Sequence, residues 1–186
     1  MTTSPLKVLG ISGSLRKDSF NTAALHTAAD LADDSLSFSF ADLSQIPLYD
    51  QDLRDKVVPE AVQTLCQQIL DADAVLFSTP EYNYSVSGVL KNAIDWLSRL
   101  DPQPFADKPV AVMSASMSVF GGVRAQYDLR RILIYLDGHF LNKPEVMIAS
   151  AHTKFDEDGK LTDEDTRKFI GKLVTALGDW TRRLHP

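Results

Sequence analysis

The chain has 186 residues, 44% hydrophobic and 24% charged, which fits one globular domain spanning residues 1–186. A net charge of −6 and a pI near 5.1 count against a nucleic-acid binder, which needs a basic face. One cysteine excludes an internal disulfide and argues against a cysteine-built metal site.

Lys7–Ile11 is a short apolar run, too short for a helix and rich in strand formers. The residues before it contain no signal peptide, and no apolar run approaches the ~18–20 residues of a membrane span. The expectation is a cytoplasmic protein with no membrane partner. After the first strand comes Gly10-Ile-Ser-Gly-Ser-Leu-Arg-Lys-Asp-Ser-Phe-Asn21, then an amphipathic helix carrying Ala23, Ala24, Leu25, Ala28 and Leu31. Gly13 allows a tight turn, and Ser19 and Asn21 are residues that start helices. Backbone N–H groups at such a start make an anion site. Ser14, Ser19, Asn21 and Arg16 add donors suited to phosphate oxygens. The pattern lacks both the Gly-Lys-Ser/Thr of a Walker loop and Gly-x-Gly-x-x-Gly. It reads either as a phosphate-gripping loop or as an ordinary capped turn.

Ser35–Ala41 alternates polar and apolar, as a strand near a sheet edge does. Residues 42–55 read as a loop. A helix is predicted from Pro59 to Asp71, with proline at its favoured first turn. Cys66 falls in its apolar pattern of Val62, Leu65, Ile69 and Leu70, which predicts a buried thiol. Ala74–Thr79 is an unbroken apolar strand, buried on both faces. Pro80–Gly88 is a loop leading into a helix over 89–99. Pro109–Ser114 is the next buried strand, Ala115–Gly122 a loop of small residues, and Val123–Leu136 an amphipathic helix. Pro144–Ala149 is the fifth strand. Asp156–Gly159 is a solvated turn without EF-hand spacing. Thr162 and Asp165, near capping-box spacing, open a helix that closes at Leu184. His26, His139, His152 and His185 have no partner nearby in sequence, so no metal site and no catalytic histidine is expected.

Strands alternating with helices predict an α/β fold: a doubly wound parallel sheet of five strands, flavodoxin-like in the order 2-1-3-4-5. Ligands of such sheets bind beyond the C-terminal strand ends. The loops after strands one, three and four fall on that rim together. Tyr82 and Tyr84 offer flat surfaces there and Asn83 a donor and acceptor, unless the tyrosines merely pack. A mononucleotide suits this arrangement, with flavin mononucleotide (FMN) spanning it from phosphate to ring.

Gly13-Ser-Leu-Arg-Lys-Asp-Ser-Phe-Asn21, Thr79-Pro-Glu-Tyr-Asn-Tyr-Ser85, Leu90-Lys-Asn-Ala-Ile-Asp-Trp-Leu-Ser98 and Gly121-Gly-Val-Arg-Ala125 together resemble the NADPH-dependent FMN reductases, a family that includes bacterial quinone, chromate and azo-dye reductases. The resemblance covers nearly the whole chain. It implies non-covalent FMN, NAD(P)H as electron donor, small-molecule acceptors and a homodimer or homotetramer. By position it assigns Ser14, Leu15, Arg16, Ser19, Phe20 and Asn21 to the phosphate end of FMN. Pro80, Glu81, Tyr82 and Asn83 would border the ring, and Ser116 would close the pocket. The cofactor carries the electrons, so no catalytic acid, base or nucleophile is expected. Amides around Ser116, Gly121 and Gly122 are the candidates to stabilise charge on the reduced ring. A flavodoxin-type electron carrier is the competing function. Arg124 and Tyr127, on an arginine- and tyrosine-rich helix, are candidate interface residues, with Glu145 a possible acidic partner for Arg124.

Overall fold

The computed structural model describes residues 4–185. In chain order the elements are β1 (Leu6–Ser12), α1 (Phe20–Asp30), β2 (Leu36–Ala41), α2 (Gln51–Arg54), α3 (Glu60–Asp71) and β3 (Ala74–Ser78). A short hairpin follows, β4 (Glu81–Tyr82) and β5 (Ser85–Val86), then α4 (Gly88–Leu97) and β6 (Pro109–Ala115). The chain ends with α5 (Val123–Ile134), β7 (His139–Phe140), β8 (Val146–Ile148) and α6 (Glu164–Leu184).

β1, β2, β3, β6 and β7 form a parallel sheet in the order β2-β1-β3-β6-β7, with β8 also parallel to β6. This is the flavodoxin-like order expected from the alternation of elements. Every residue of β3 and β6 is buried, because helices cover both faces. Alternate residues of a strand serve opposite layers. Leu9, Ile11, Val75, Phe77, Val110 and Val112 meet the apolar stripes of α3, α4 and α5. Val8, Leu76, Ala111 and Met113 meet α1 and α6 on the other side. Cys66 is buried in the first of these layers, and burial pushes its thiol pKa up, consistent with a structural role. Among the described residues β2 pairs only with β1, and it keeps a half-exposed pattern, as its period-two sequence predicted.

Three local expectations change. The fifth strand is not one run over 144–149 but two pieces. β7 pairs with the start of β6 and β8 with its end. Across the gap, α5 supplies side chains instead of backbone: both guanidinium Nη atoms of Arg130 donate to Leu141 O, and Gln126 Nε2 donates to Val146 O. The last helix is capped by Asp163, whose carboxylate accepts from Thr166 N at 2.9 Å, rather than by a Thr162–Asp165 box. The loop regions 42–55 and 80–88 contain a short helix and a hairpin.

Candidate functional site

The loops after β1, β3 and β6 lie together on one rim because parallel strands deliver their C-terminal ends to the same side. Loop one begins where Gly13 N donates to Ser78 O at 2.8 Å. Gly13 is needed for a close approach rather than for the tight turn expected. A Cβ there would meet Thr79 Oγ1 at 2.9 Å and Ser87 Oγ at 3.2 Å. Ser87 caps α4 through Leu90 N and donates to Gly13 O at 2.5 Å, so it ties loop two to loop one.

Ser19 caps α1 as anticipated, its hydroxyl accepting from Thr22 N while its carbonyl accepts from Ala23 N. That leaves the amides of Phe20 and Asn21 without acceptors inside the helix. Around them stand Ser14, whose hydroxyl accepts from Arg16 N, and the exposed Arg16 guanidinium, 5.2 Å from the Phe20 ring centroid. Leu15 is exposed beside them. Phe20 itself is half-buried against Phe155. Ser14, Leu15, Arg16 and Thr22 line a cleft of about 260 Å³ with Asp42 and Ser44.

Asn21 is held inside the fold. Its side chain is buried at 4% exposure, and both its amide nitrogen and its amide oxygen are hydrogen-bonded within the chain. Nδ2 donates to Ala115 O at 3.0 Å, while Oδ1 accepts from Ser78 Oγ and from Ala115 N. It pins α1 to the ends of β3 and β6, and its backbone N–H lies in the first turn of α1.

The second part of the rim is the β4–β5 hairpin. Its turn residues Asn83 and Tyr84 have φ of +50° and +70°, which only a primed two-residue turn requires. Tyrosine rarely adopts this conformation. Its ring is held 4.1 Å from the Arg124 guanidinium, which Phe120 approaches from elsewhere at 4.4 Å. Glu81 is the anchor. One carboxylate oxygen accepts from Arg124 Nη1 at 2.9 Å, and the other accepts from Arg124 N at 2.9 Å and Ala125 N at 3.4 Å. Its side chain is only 11% exposed. Arg124 therefore has an acidic partner within its own chain, Glu81.

Glu81, Asn83, Tyr84, Ser116, Ser118 and Phe120 line a second rim cleft of about 410 Å³ with Arg124. Pro80 is buried beneath it and Tyr82 is 53% exposed beside it. The amides proposed to face a reduced ring are largely occupied. Ser116 N donates to Ile148 O, Gly121 N to Ser118 O, and the first turn of α5 holds Glu81. Gly122, at φ +87°, starts α5 where a Cβ would strike Ser114 at 2.8 Å. A larger cleft, about 760 Å³, lies to the side between α3 and the 42–59 segment. It lacks the aromatic faces and basic donors of the rim, so volume is a poorer guide here than chemistry.

The donor set fits FMN. Unmatched helix amides, two hydroxyls and a guanidinium suit a phosphate monoester, and the aromatic cleft with Asn83 and Ser116 suits a flat ring with polar edges.

The family model of the NADPH-dependent FMN reductases matches residues 6–153. The chain is 54% identical over 179 residues to an NAD(P)H-dependent FMN reductase of Pseudomonas aeruginosa, covering 96% of this chain and 97% of that one. It is 44% identical over 182 residues to a quinone reductase of Escherichia coli, with the same coverage. Among solved structures, the flavoenzyme NAD(P)H:(acceptor) oxidoreductase FerB of Paracoccus denitrificans superposes with a TM-score of 0.86 at 37% identity, covering 96% of this chain and 98% of that one. By sequence, fold and rim chemistry together, the chain belongs to the NADPH-dependent FMN reductase family.

Proposed function

We propose that the chain is an FMN-dependent NAD(P)H oxidoreductase that reduces quinones and, through the same open rim, other small acceptors such as chromate, azo or nitro compounds and free flavin. The observation that carries this reading is one rim bearing both an anion-binding helix start and an aromatic cleft. Bound FMN would supply the redox chemistry between the nicotinamide donor and the acceptor. The protein's own work is positional. Ser14, Arg16, Ser19 and the amides of Phe20 and Asn21 bind the phosphate. Leu15 and Phe20 shield it from water. Pro80, Tyr82, Asn83 and Ser116 orient the ring, and Glu81 holds their hairpin against α5.

A flavodoxin-type carrier would use the same fold, but the related proteins are named as reductases, and the cleft beside Tyr82 and Tyr84 is open enough for substrates. Purified protein with FMN absorbance that consumes NADH or NADPH with a benzoquinone, without added reductase, supports the enzyme. A yellow protein that oxidises neither nicotinamide refutes it.

Assembly follows from the exposed side of α5. Tyr127, Ile134 and Tyr135 are 55%, 71% and 86% exposed, more apolar surface than one solvated helix face normally carries. We assign this face, with Arg124 at its start and Glu145 near it, to a homodimer or homotetramer. Light scattering at monomer mass across dilution would remove that assignment. No helix among the described residues is long and apolar enough to cross a membrane. We place the enzyme in the cytoplasm, where its nicotinamide donor is found.

A further inference from the structure

At the end of the sheet opposite the flavin rim, just before β6 and β7, the fold gathers metal-ligating side chains that lie far apart in sequence. Asp107, Asp137 and His139 each bring one ligand atom to within 4.8 Å of the others. His139 Nε2 and Asp107 Oδ1 are 3.2 Å apart. A second imidazole reaches the same corner from the end of α6: His185 Nε2 lies 3.2 Å from the main-chain oxygen of Asp107. The backbone fixes this corner. Asp107 N donates to Asp137 O at 3.0 Å, His139 N to Lys108 O at 2.9 Å, and Trp180 Nε1 to His139 O at 2.9 Å. Asp107 and Asp137 both have left-handed backbone, φ +57° and +59°, a conformation aspartate tolerates better than most residues.

We propose that Asp107, Asp137 and His139 form a binding site for one divalent transition cation of the zinc type, with His185 as the nearest further donor. Two corners of a zinc tetrahedron with bonds of about 2.0–2.1 Å stand about 3.3 Å apart. The Asp107–His139 spacing already matches that edge. The exposed Asp137 carboxylate lies within 4.8 Å of both. Charge points the same way. Two carboxylates are held side by side, yet Asp137 makes no salt bridge among the described residues. Lys108, the nearest base in sequence, instead donates to Ala72 O at 2.6 Å. An imidazole in the donor set favours zinc, nickel or copper over calcium and magnesium, which prefer oxygen ligands alone. Because the donors come from the turns before β6 and β7 and from the end of α6, a bound ion would staple three distant segments of the chain.

The test is calorimetric titration of the chelator-treated full-length protein with zinc chloride. Wild type should bind one zinc ion per chain. His139→Ala and Asp137→Asn should each weaken binding by about ten-fold or more, since even outer-shell changes at metal sites cost that much. Asparagine keeps the left-handed backbone accessible, and an unchanged flavin spectrum shows that each variant is folded. A His26→Ala, His152→Ala double variant should bind like wild type. Zinc should raise the melting temperature of wild type and leave that of His139→Ala unchanged. Absence of one-to-one binding, retention of full affinity in His139→Ala, loss of it in the double variant, or equal binding of calcium each overturns the proposal.

Discussion

At the start of α1, the amides of Phe20 and Asn21 are unmatched within the helix, beside Ser14 and Arg16. At the start of α5, on the same rim, the amides of Arg124 and Ala125 already hold the carboxylate of Glu81. Both helix starts attract negative charge for the same reason, a partial positive charge on unpaired N–H groups. One stands open and the other is filled from within. On the proposed reading that difference would orient the cofactor, because a phosphate competes poorly for α5 and finds α1 open.

The comparison can be broken or sharpened by substitution. The largest effect is expected from Asn21→Ala, which leaves Ser78 Oγ and Ala115 N buried without their acceptor. It should destabilise the apo-protein by about 3 kcal/mol in urea unfolding. Unchanged stability with lost FMN affinity would return the Asn21 side chain to the ligand site. Glu81→Ala should cost about 2 kcal/mol, because it unpairs Arg124 and uncaps α5 together. Added sulfate should then stabilise the variant more than wild type, since the second helix start has been opened. Equal sulfate effects would mean that the Glu81 carboxylate does not occupy an anion site.

Arg16→Ala acts on the open start. It should lower FMN affinity about ten-fold or more, corresponding to roughly 1.5–3 kcal/mol for a charge-assisted contact. Apo stability should not change, because Arg16 is exposed. Titration of apo-protein with unaltered affinity would detach loop one from the phosphate. The smallest effect belongs to α6, a helix start with an ordinary cap. Asp163→Ala should cost about 1 kcal/mol at neutral pH. Hydrogen bonds from the Thr166 side chain and backbone hold the Asp163 carboxyl below its usual pKa. Its contribution is therefore complete above the ordinary aspartate value near 4 and fades as pH falls through the lowered one. The stability gap between wild type and variant should close in acid. A gap that persists below pH 2 would contradict the cap.

What could be read in the sequence was whatever depends on neighbours along the chain. The buried runs of β3 and β6, the Ser19 cap and the placing of three loops on one rim all follow from local pattern and the geometry of parallel sheets. Asn21 is ambiguous in the sequence because a phosphate donor and a buried cross-link demand the same amide chemistry, and its cross-linking bond runs to Ala115, 94 residues away. The β4–β5 hairpin carried no glycine at its turn, and Asn-Tyr is a weak signal for left-handed backbone. Glu81 and Arg124 lie 43 residues apart, so nothing local could have revealed that one plugs the helix opened by the other. The two-residue β7 is shorter than any pattern can register.

The broken fifth strand has one further consequence. Exposed sheet edges recruit other strands, and proteins that remain soluble must blunt them. Here the outer neighbour of β6 offers only a two-residue and a three-residue ladder, and the Gln126 and Arg130 side chains take up carbonyls between them. An incoming strand would find no continuous row of N–H and C=O groups to copy. The interruption guards this flank of the sheet against intermolecular β-pairing and the aggregation that follows from it.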